Sequence, residues 1–157
     1  MNCTSLFLII FMIANAKEIV FNNCGLGNIF SINIQPCDSS PCGLYVMEEI
    51  IIEILFQSPF AAKTAFGILK VIDNSFSITL KLNACSVMVK CPLSTLPDYL
   101  RYRMVLPNLH VANITTIFQL IDDDVGTLVC FNASFNILNR MLSANVNVLN
   151  VSGKANV

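Results

Sequence analysis

The segment Ser75-Phe-Ser-Ile-Thr-Leu-Lys-Leu82 alternates polar and apolar side chains at every position. Successive side chains of a β-strand point to opposite faces of its sheet, so this pattern predicts a strand with one apolar face. Glu49 and Glu53 alternate with Ile50 and Ile52 in the same way. The pattern is typical of an antiparallel sheet that buries one face and exposes the other to water.

Similar short runs of β-branched and aromatic residues fill the rest of the sequence, separated by clusters of Gly, Pro, Asn, Asp and Ser. No long segment has a helical period, which indicates an all-β fold. Strands are predicted near residues 30–35, 48–57, 64–72, 75–82, 100–106, 114–121 and 127–137. Their number and spacing are typical of an immunoglobulin-like β-sandwich of two antiparallel sheets.

Three Asn-x-Ser/Thr sequons, at Asn113, Asn132 and Asn150, predict N-linked glycans. A glycan is bulky and polar and cannot point into a core, so the first two sequons orient their strands. The residues that this orientation turns inward are Ile114, Thr116, Phe118, Leu120, Phe131, Ala133 and Phe135.

Hydrophobic residues make up 55% of the chain and charged residues only 12%, which is unusually apolar for a protein of this size. The richest internal run, Ile50-Ile-Ile-Glu-Ile-Leu-Phe56, is interrupted by Glu53 and has the length of a strand, not of a membrane span. The surplus apolar surface is therefore expected in a core or a cavity. With a net charge of -1 and scattered Lys and Arg, a nucleic-acid partner is not expected.

The N-terminus combines an apolar stretch, Leu6 to Ile13, with the small-x-small sequence Ala14-Asn-Ala16. This pattern predicts a signal peptide over residues 1–16, and a retained membrane anchor is the alternative. Residues 17–139 have the length of one domain. Residues 140–157 are interpreted as a C-terminal tail, with an edge strand near residues 145–151 as the alternative.

Removing the signal peptide leaves an even set of cysteines in a chain expected to enter an oxidising compartment. Six cysteines allow fifteen pairings, and the sequence alone does not choose among them. Proximity favours two short loops, Cys37 with Cys42 and Cys85 with Cys91, which leaves Cys24 with Cys130. A zinc site is the alternative, but the cysteine spacing lacks the usual knuckles and the chain has one His. No metal and no cofactor is expected.

Catalytic residues are not evident in this sequence. The one histidine, His110, follows a Pro-Asn turn, and no Gly-x-Ser-x-Gly motif occurs. Asp122-Asp-Asp124 before Gly126 lacks the further ligands of a calcium loop and predicts a solvated hairpin turn. The protein is therefore not expected to be an enzyme, and a secreted hydrolase is the least favoured hypothesis.

Four segments in order resemble the ML, or lipid-recognition, domain family, which includes the Niemann-Pick type C epididymal secretory sterol carriers and the mite group 2 allergens. Phe21-Asn-Asn-Cys24-Gly25 is similar to the family's opening motif, and Pro36-Cys-Asp-Ser-Ser-Pro-Cys-Gly-Leu44 to its next segment. Asn83 to Leu93 resembles the central loop of the mite proteins, and Asp122 to Cys130 the approach to the final strand. The likeness covers about residues 21–137.

This resemblance implies a two-sheet fold with an apolar cavity between the sheets and with the bridges Cys24–Cys130, Cys37–Cys42 and Cys85–Cys91. It further implies that Phe76 is the counterpart of a cavity-lining phenylalanine of the sterol carriers. Phe118 and Phe131 stand where those carriers have tryptophans, and this chain has no Trp.

The functional hypothesis is a secreted carrier of a sterol, a fatty acid or another small hydrophobic ligand. The alternative is a lipid-dependent recognition module that docks on a receptor. The expected partners are the lipid and a membrane receptor or acceptor membrane, with the protein monomeric and located outside the cell or in the endolysosomal lumen. The candidate lipid-binding residues are Ile34, Leu44, Ile50, Ile52, Leu69, Phe76, Ile78, Leu106, Phe118, Leu120 and Phe131.

Overall fold

A computed structural model describes residues 17–37 and 39–139 of the chain. Within these residues it contains strands and one short helix, α1. The elements are β1 (Lys17–Glu18), β2 (Asn22–Asn23), β3 (Asn28–Gln35), β4 (Gly43–Tyr45), β5 (Glu49–Gln57), β6 (Phe66–Ile72), β7 (Ser77–Asn83), α1 (Ala84–Val87), β8 (Pro97–Val105), β9 (Asn113–Asp122) and β10 (Gly126–Leu138).

Two sheets form a sandwich. One has four strands in the order β1-β3-β5-β8, and the other has the order β2-β10-β9-β6-β7, with β4 added beside β10. All pairings are antiparallel except that of β4 with β10, which is parallel. Strands β7 and β8 each end the order of their sheet, so each has an edge without a strand partner among the described residues.

The seven predicted strands are confirmed as β3 and β5 to β10. The largest difference in a boundary is three residues, because β8 begins at Pro97 and not at Leu100. The two-residue and three-residue strands β1, β2 and β4 and the helix α1 were not predicted. Segments this short carry no measurable period, so hydrophobic patterning does not reveal them.

All three predicted disulfides are present. Cys24–Cys130 joins the residue after β2 to the middle of β10, over a sequence separation of 106. Cys37–Cys42 closes a short loop between β3 and β4. Cys85–Cys91 joins α1 to the connection that follows it.

The sequons orient β9 and β10 as predicted. Every residue that they turn inward is buried, from Ile114 and Leu120 on β9 to Phe131 and Phe135 on β10. The opposing sheet contributes Ile32, Ile34, Ile54, Phe56 and Leu100, also buried. The core therefore lies between the two sheets.

Asp122 organises the turn between β9 and β10. Its side chain is buried, which differs from the solvated turn predicted from the sequence. Its carboxylate accepts hydrogen bonds from the Thr64 hydroxyl at 2.7 Å and from the backbone N–H groups of Asp124 and Val125. The bond from the Thr64 hydroxyl is the largest cause that lowers the pKa of Asp122, and the bond from the Asp124 N–H follows. Gly126 completes the turn with a positive φ of 89°, which glycine adopts without strain.

We predict that Asp122 makes the stability of the fold depend on pH in the acid range. Because its pKa is lower in the folded chain than the ~3.9 of an unfolded Asp, its stabilising contribution is complete above that value. The contribution is lost as the pH falls through the folded pKa. Asp122→Asn is expected to lower the midpoint of thermal unfolding at neutral pH and to flatten its decline in acid.

Thermal unfolding followed by circular dichroism from pH 7 down to pH 2 measures this effect. Asp123→Asn is the matched control, because Asp123 is the exposed neighbour in the same turn. Equal behaviour of the two variants across the pH range would contradict the role given to Asp122.

Neither end of the sequence falls within the described residues. The predicted signal peptide, residues 1–16, and the predicted tail, residues 140–157, therefore stay predictions. No helical segment in the described part of the chain combines the length and the apolar character needed to span a bilayer.

Candidate ligand-binding cavity

An apolar cavity lies between the two sheets. The four-stranded sheet contributes inward residues of β3, β5 and β8, and the other sheet contributes residues of β6, β7, β9 and β10. Leu44 on β4, Met88 after α1 and Leu106 after β8 complete the lining. The cavity has a volume of about 60 Å³.

The lining of the cavity is most exposed at an edge of the sandwich, on the edge strand β7. Leu80 on β7 is the most exposed residue of the lining, at 41%. Tyr102 and Met104 on β8 are half-buried, whereas Leu100, Phe118 and Phe131 are buried. The edge strands β7 and β8 are therefore the candidate sides of an entrance, because passage between them crosses neither sheet.

The lining carries almost no polar chemistry. It contains no charged residue, and its polar side chains are Thr116 and Tyr102. The Thr116 hydroxyl donates to the Ala133 carbonyl within β10, at 3.3 Å, and so is already engaged. No group of three or more His, Cys, Asp or Glu side chains suited to a metal occurs in the described ranges 17–37 and 39–139. The lining therefore offers almost only apolar surface to a ligand.

Two aromatic rings form the inner wall of the cavity. Phe118 and Phe131 face each other across β9 and β10, with ring centroids 5.5 Å apart. Phe21 packs against Phe131 with its edge, at 6.2 Å. Contacts of this kind stabilise aromatic pairs, which keeps this wall in place when the cavity is empty.

Most residues proposed from the sequence to bind lipid surround this cavity. Phe118 and Phe131, which stand at tryptophan positions of the sterol carriers, are among them. The proposed residues in the lining are Ile34, Leu44, Ile50, Ile52, Leu69, Leu106, Phe118 and Phe131.

Three proposed residues lie outside the lining. Phe76 precedes β7 and packs, half-buried, against the core. Ile78 lies on the edge strand β7 and is 42% exposed. Leu120 is fully buried in the core, where it pairs with Gly67 and Val129 on the neighbouring strands.

Sequence reasoning missed several lining residues. Alternation along β7 and β8 was the available signal for Leu80, Leu82, Tyr102 and Met104. No signal was available for Met88, which lies on a loop and enters the cavity only through the tertiary fold.

Two of the sequons lie on the outer face of the larger sheet. Asn113 is exposed at the start of β9. Asn132 is half-buried, and its side-chain oxygen accepts a hydrogen bond from the Asn22 amide at 3.1 Å. Asn150 lies outside the described residues. His110 is exposed in the connection between β8 and β9 and is not part of the cavity lining.

Comparison with known proteins identifies the family of this chain. Residues 18–137 match the family described as the ML domain. This protein belongs to the ML-domain family. The match covers almost the whole of the sandwich, including both sheets and all three disulfides, so the predicted membership is confirmed.

Relatives of this ML-domain protein have the name "NPC intracellular cholesterol transporter 2". The protein of Mus musculus is 26% identical over 142 residues, covering 85% of this chain and 95% of the relative. That of Danio rerio is 24% identical over 133 residues, covering 79% of this chain and 88% of the relative.

Solved structures show the same fold. A Niemann-Pick type C2 protein from Japanese carpenter ant superposes with a TM-score of 0.67 at 19% identity, covering 76% of this chain and 100% of that chain. Chicken MD-1 complexed with lipid IVa superposes with a TM-score of 0.56 at 15% identity, covering 75% and 88%. The ML-domain assignment makes this chain a binding protein and not an enzyme.

Proposed function

We propose that this ML-domain protein binds one small hydrophobic lipid between its two sheets and carries it between compartments or membranes. A sterol or a fatty acid is the proposed class of ligand. The observation that carries the proposal is the cavity itself, which is lined by apolar side chains and is most exposed at Leu80 on the edge strand β7. The names of the relatives, a cholesterol transporter and a protein complexed with lipid IVa, support the same class.

The empty cavity must widen to accept such a ligand. Its volume of about 60 Å³ is well below the roughly 300–1,000 Å³ of typical small-molecule pockets. Widening requires no break in a β-ladder, because β7 and β8 belong to different sheets. Two methionines of the lining, Met88 and Met104, have flexible side chains that adapt to different shapes.

Hydrophobic burial alone is enough to hold the ligand. A lipid that buries several hundred Å² of apolar surface gains on the order of 10 kcal/mol at ~25 cal/mol per Å². Association and the widening of the cavity offset part of this gain, and roughly micromolar affinity remains. No polar contact in the cavity is needed for binding of this strength.

We further propose that the protein is secreted and acts outside the cell or in the endolysosomal lumen. Its three disulfides support this location, because disulfides form and persist in oxidising compartments.

Native mass spectrometry of protein purified from a secretory host tests lipid binding. We expect a population heavier than the polypeptide by the mass of one small lipid, which organic extraction removes. Adding cholesterol or oleic acid to the stripped protein distinguishes the two proposed ligands. A stripped protein that takes up neither of them, nor any lipid from a total extract, would contradict the proposed function.

A further inference from the structure

Gly67 leaves a gap in the wall of the cavity, and Met88 fills it. Gly67 lies on β6 and is the one residue of the lining without a side chain. A Cβ atom at Gly67 would lie 2.9 Å from the Met88 Sδ and 3.1 Å from its Cε. The tip of the Met88 side chain therefore rests directly on the backbone of β6.

The backbone of Met88 is fixed on both sides. Its N–H donates to the Ala84 carbonyl at 2.8 Å, and its carbonyl accepts from the Arg101 N–H on β8 at 2.9 Å. The disulfide Cys85–Cys91 closes the loop around it. Movement of Met88 is therefore restricted to its side chain.

That side chain is intrinsically flexible. Methionine has three rotatable bonds beyond its Cα and fills irregular space without a strong shape preference. Met88 is buried, with 7% of its surface exposed, whereas its neighbour Val87 is 53% exposed. A rotation of the Met88 side chain leaves both hydrogen bonds of its backbone in place.

The part of the cavity next to Met88 is surrounded by apolar residues. Gly67, Leu82, Leu100, Phe118 and Phe131 surround it. The polar side chains of the lining, Tyr102 and Thr116, lie further along β8 and β9. The aliphatic part of a bound lipid is therefore the part expected next to Met88 and Gly67.

We propose that Met88 is a movable stop that sets how deeply the aliphatic end of the ligand enters the cavity. The inference rests on the proposed lipid-binding function and adds the residue that determines the length of hydrocarbon accepted. Shorter chains bind with Met88 resting on Gly67, and longer chains bind only after Met88 turns away. The aliphatic end belongs either to an acyl chain or to the side chain of a sterol.

Binding of a series of n-alkanols, from octanol to hexadecanol, measures the depth of the cavity by isothermal titration calorimetry. For the native protein, affinity is expected to rise with length and then to stop rising. In Met88→Ala the rise continues for about two more methylenes, and the longest alkanols bind roughly tenfold more tightly than to the native protein, because each additional CH₂ is buried. Val87→Ala, the control on the same loop, keeps the native profile.

Gly67→Ala is expected to act in the opposite direction. The added methyl group displaces the tip of Met88 into the cavity, so the affinity stops rising at a shorter alkanol. In the Met88→Ala background, Gly67→Ala has a smaller effect on this chain length, because the side chain that the added methyl group would displace is absent. A merely structural role of Met88 would change thermal stability in these variants but leave the dependence on chain length unchanged.

Cholesterol provides the second arm of the experiment. If the aliphatic end is that of a sterol, Met88→Ala also tightens cholesterol binding, whereas an acyl-chain ligand predicts a gain for alkanols only. If every variant binds the alkanols with the native dependence on chain length and binds cholesterol with the native affinity, the role proposed for Met88 is wrong, while the proposed lipid-binding function stands. Failure of the native protein to bind any of these probes would contradict the proposed function itself.

Discussion

Met104→Trp is expected to weaken lipid binding about a hundredfold while leaving the fold intact. Met104 lies on β8, lines the cavity and is half-buried. An indole in place of its side chain occupies space that the ligand needs. The loss of contact with three or four methylenes of ligand corresponds to a change of this size. Titration with cholesterol and with oleic acid measures the loss.

Val105→Trp is the matched control for this substitution. Val105 is the next residue on β8, on the opposite face, and is 58% exposed. Because the chain has no native Trp, each variant contains a single Trp whose emission reports its own surroundings. We expect blue-shifted emission that responds to ligand in Met104→Trp, and neither property in Val105→Trp. Undiminished binding by Met104→Trp would show that the ligand does not occupy this cavity.

Removal of the Cys24–Cys130 bridge is expected to reduce the free energy of unfolding by roughly 4–5 kcal/mol. In the chain-entropy description, a bridge stabilises by restricting the unfolded chain, and the effect grows with the length of the loop that it closes. This bridge spans 106 residues. Urea unfolding of the double variant Cys24→Ala with Cys130→Ala measures the difference from the native protein.

The pair Cys37→Ala with Cys42→Ala is the comparison, because that bridge spans only 5 residues. The same description gives a loss of roughly 2 kcal/mol for it. Similar losses in the two double variants would show that strain or residual structure, and not loop length, governs the contribution of these bridges.

The architecture could be predicted from the sequence because the strands bury one face only. Alternation along residues such as Ser75 to Leu82 reports directly which side chains meet water, and the sequons at Asn113 and Asn132 fixed the orientation of two central strands. Proximity along the chain favoured two of the disulfides and left the third pair, and the resemblance to the ML family implied the same set. Those signals are local, and the structure confirms them.

The limits of the cavity could not be predicted, since period-two alternation gives the face of a residue but not its neighbours across the sandwich. Leu120 and Phe118 share an inward face on β9, yet Leu120 is enclosed by core and Phe118 borders the cavity. Ile78 and Leu80 share an inward face on β7, and only Leu80 reaches the lining. Met88 depends on a loop whose path is set by a disulfide and by the Arg101 N–H.

The Asp122 side chain shows a similar limit. Three consecutive aspartates before a glycine indicate a turn but do not reveal which carboxylate folds back. The partner that buries Asp122 is Thr64, 58 residues earlier in the chain. A contact at that separation follows only from the packing of the connection before β6 against the end of β9.

None of the three bridges passes through the centre of the sandwich. Cys24–Cys130 stays at the larger sheet, and the other two lie in connections between strands. Antibody domains, by contrast, pin their two sheets together with a disulfide through the core. None of the bridged cysteines lines the cavity here, so the proposed uptake and release of a ligand does not depend on reducing a disulfide.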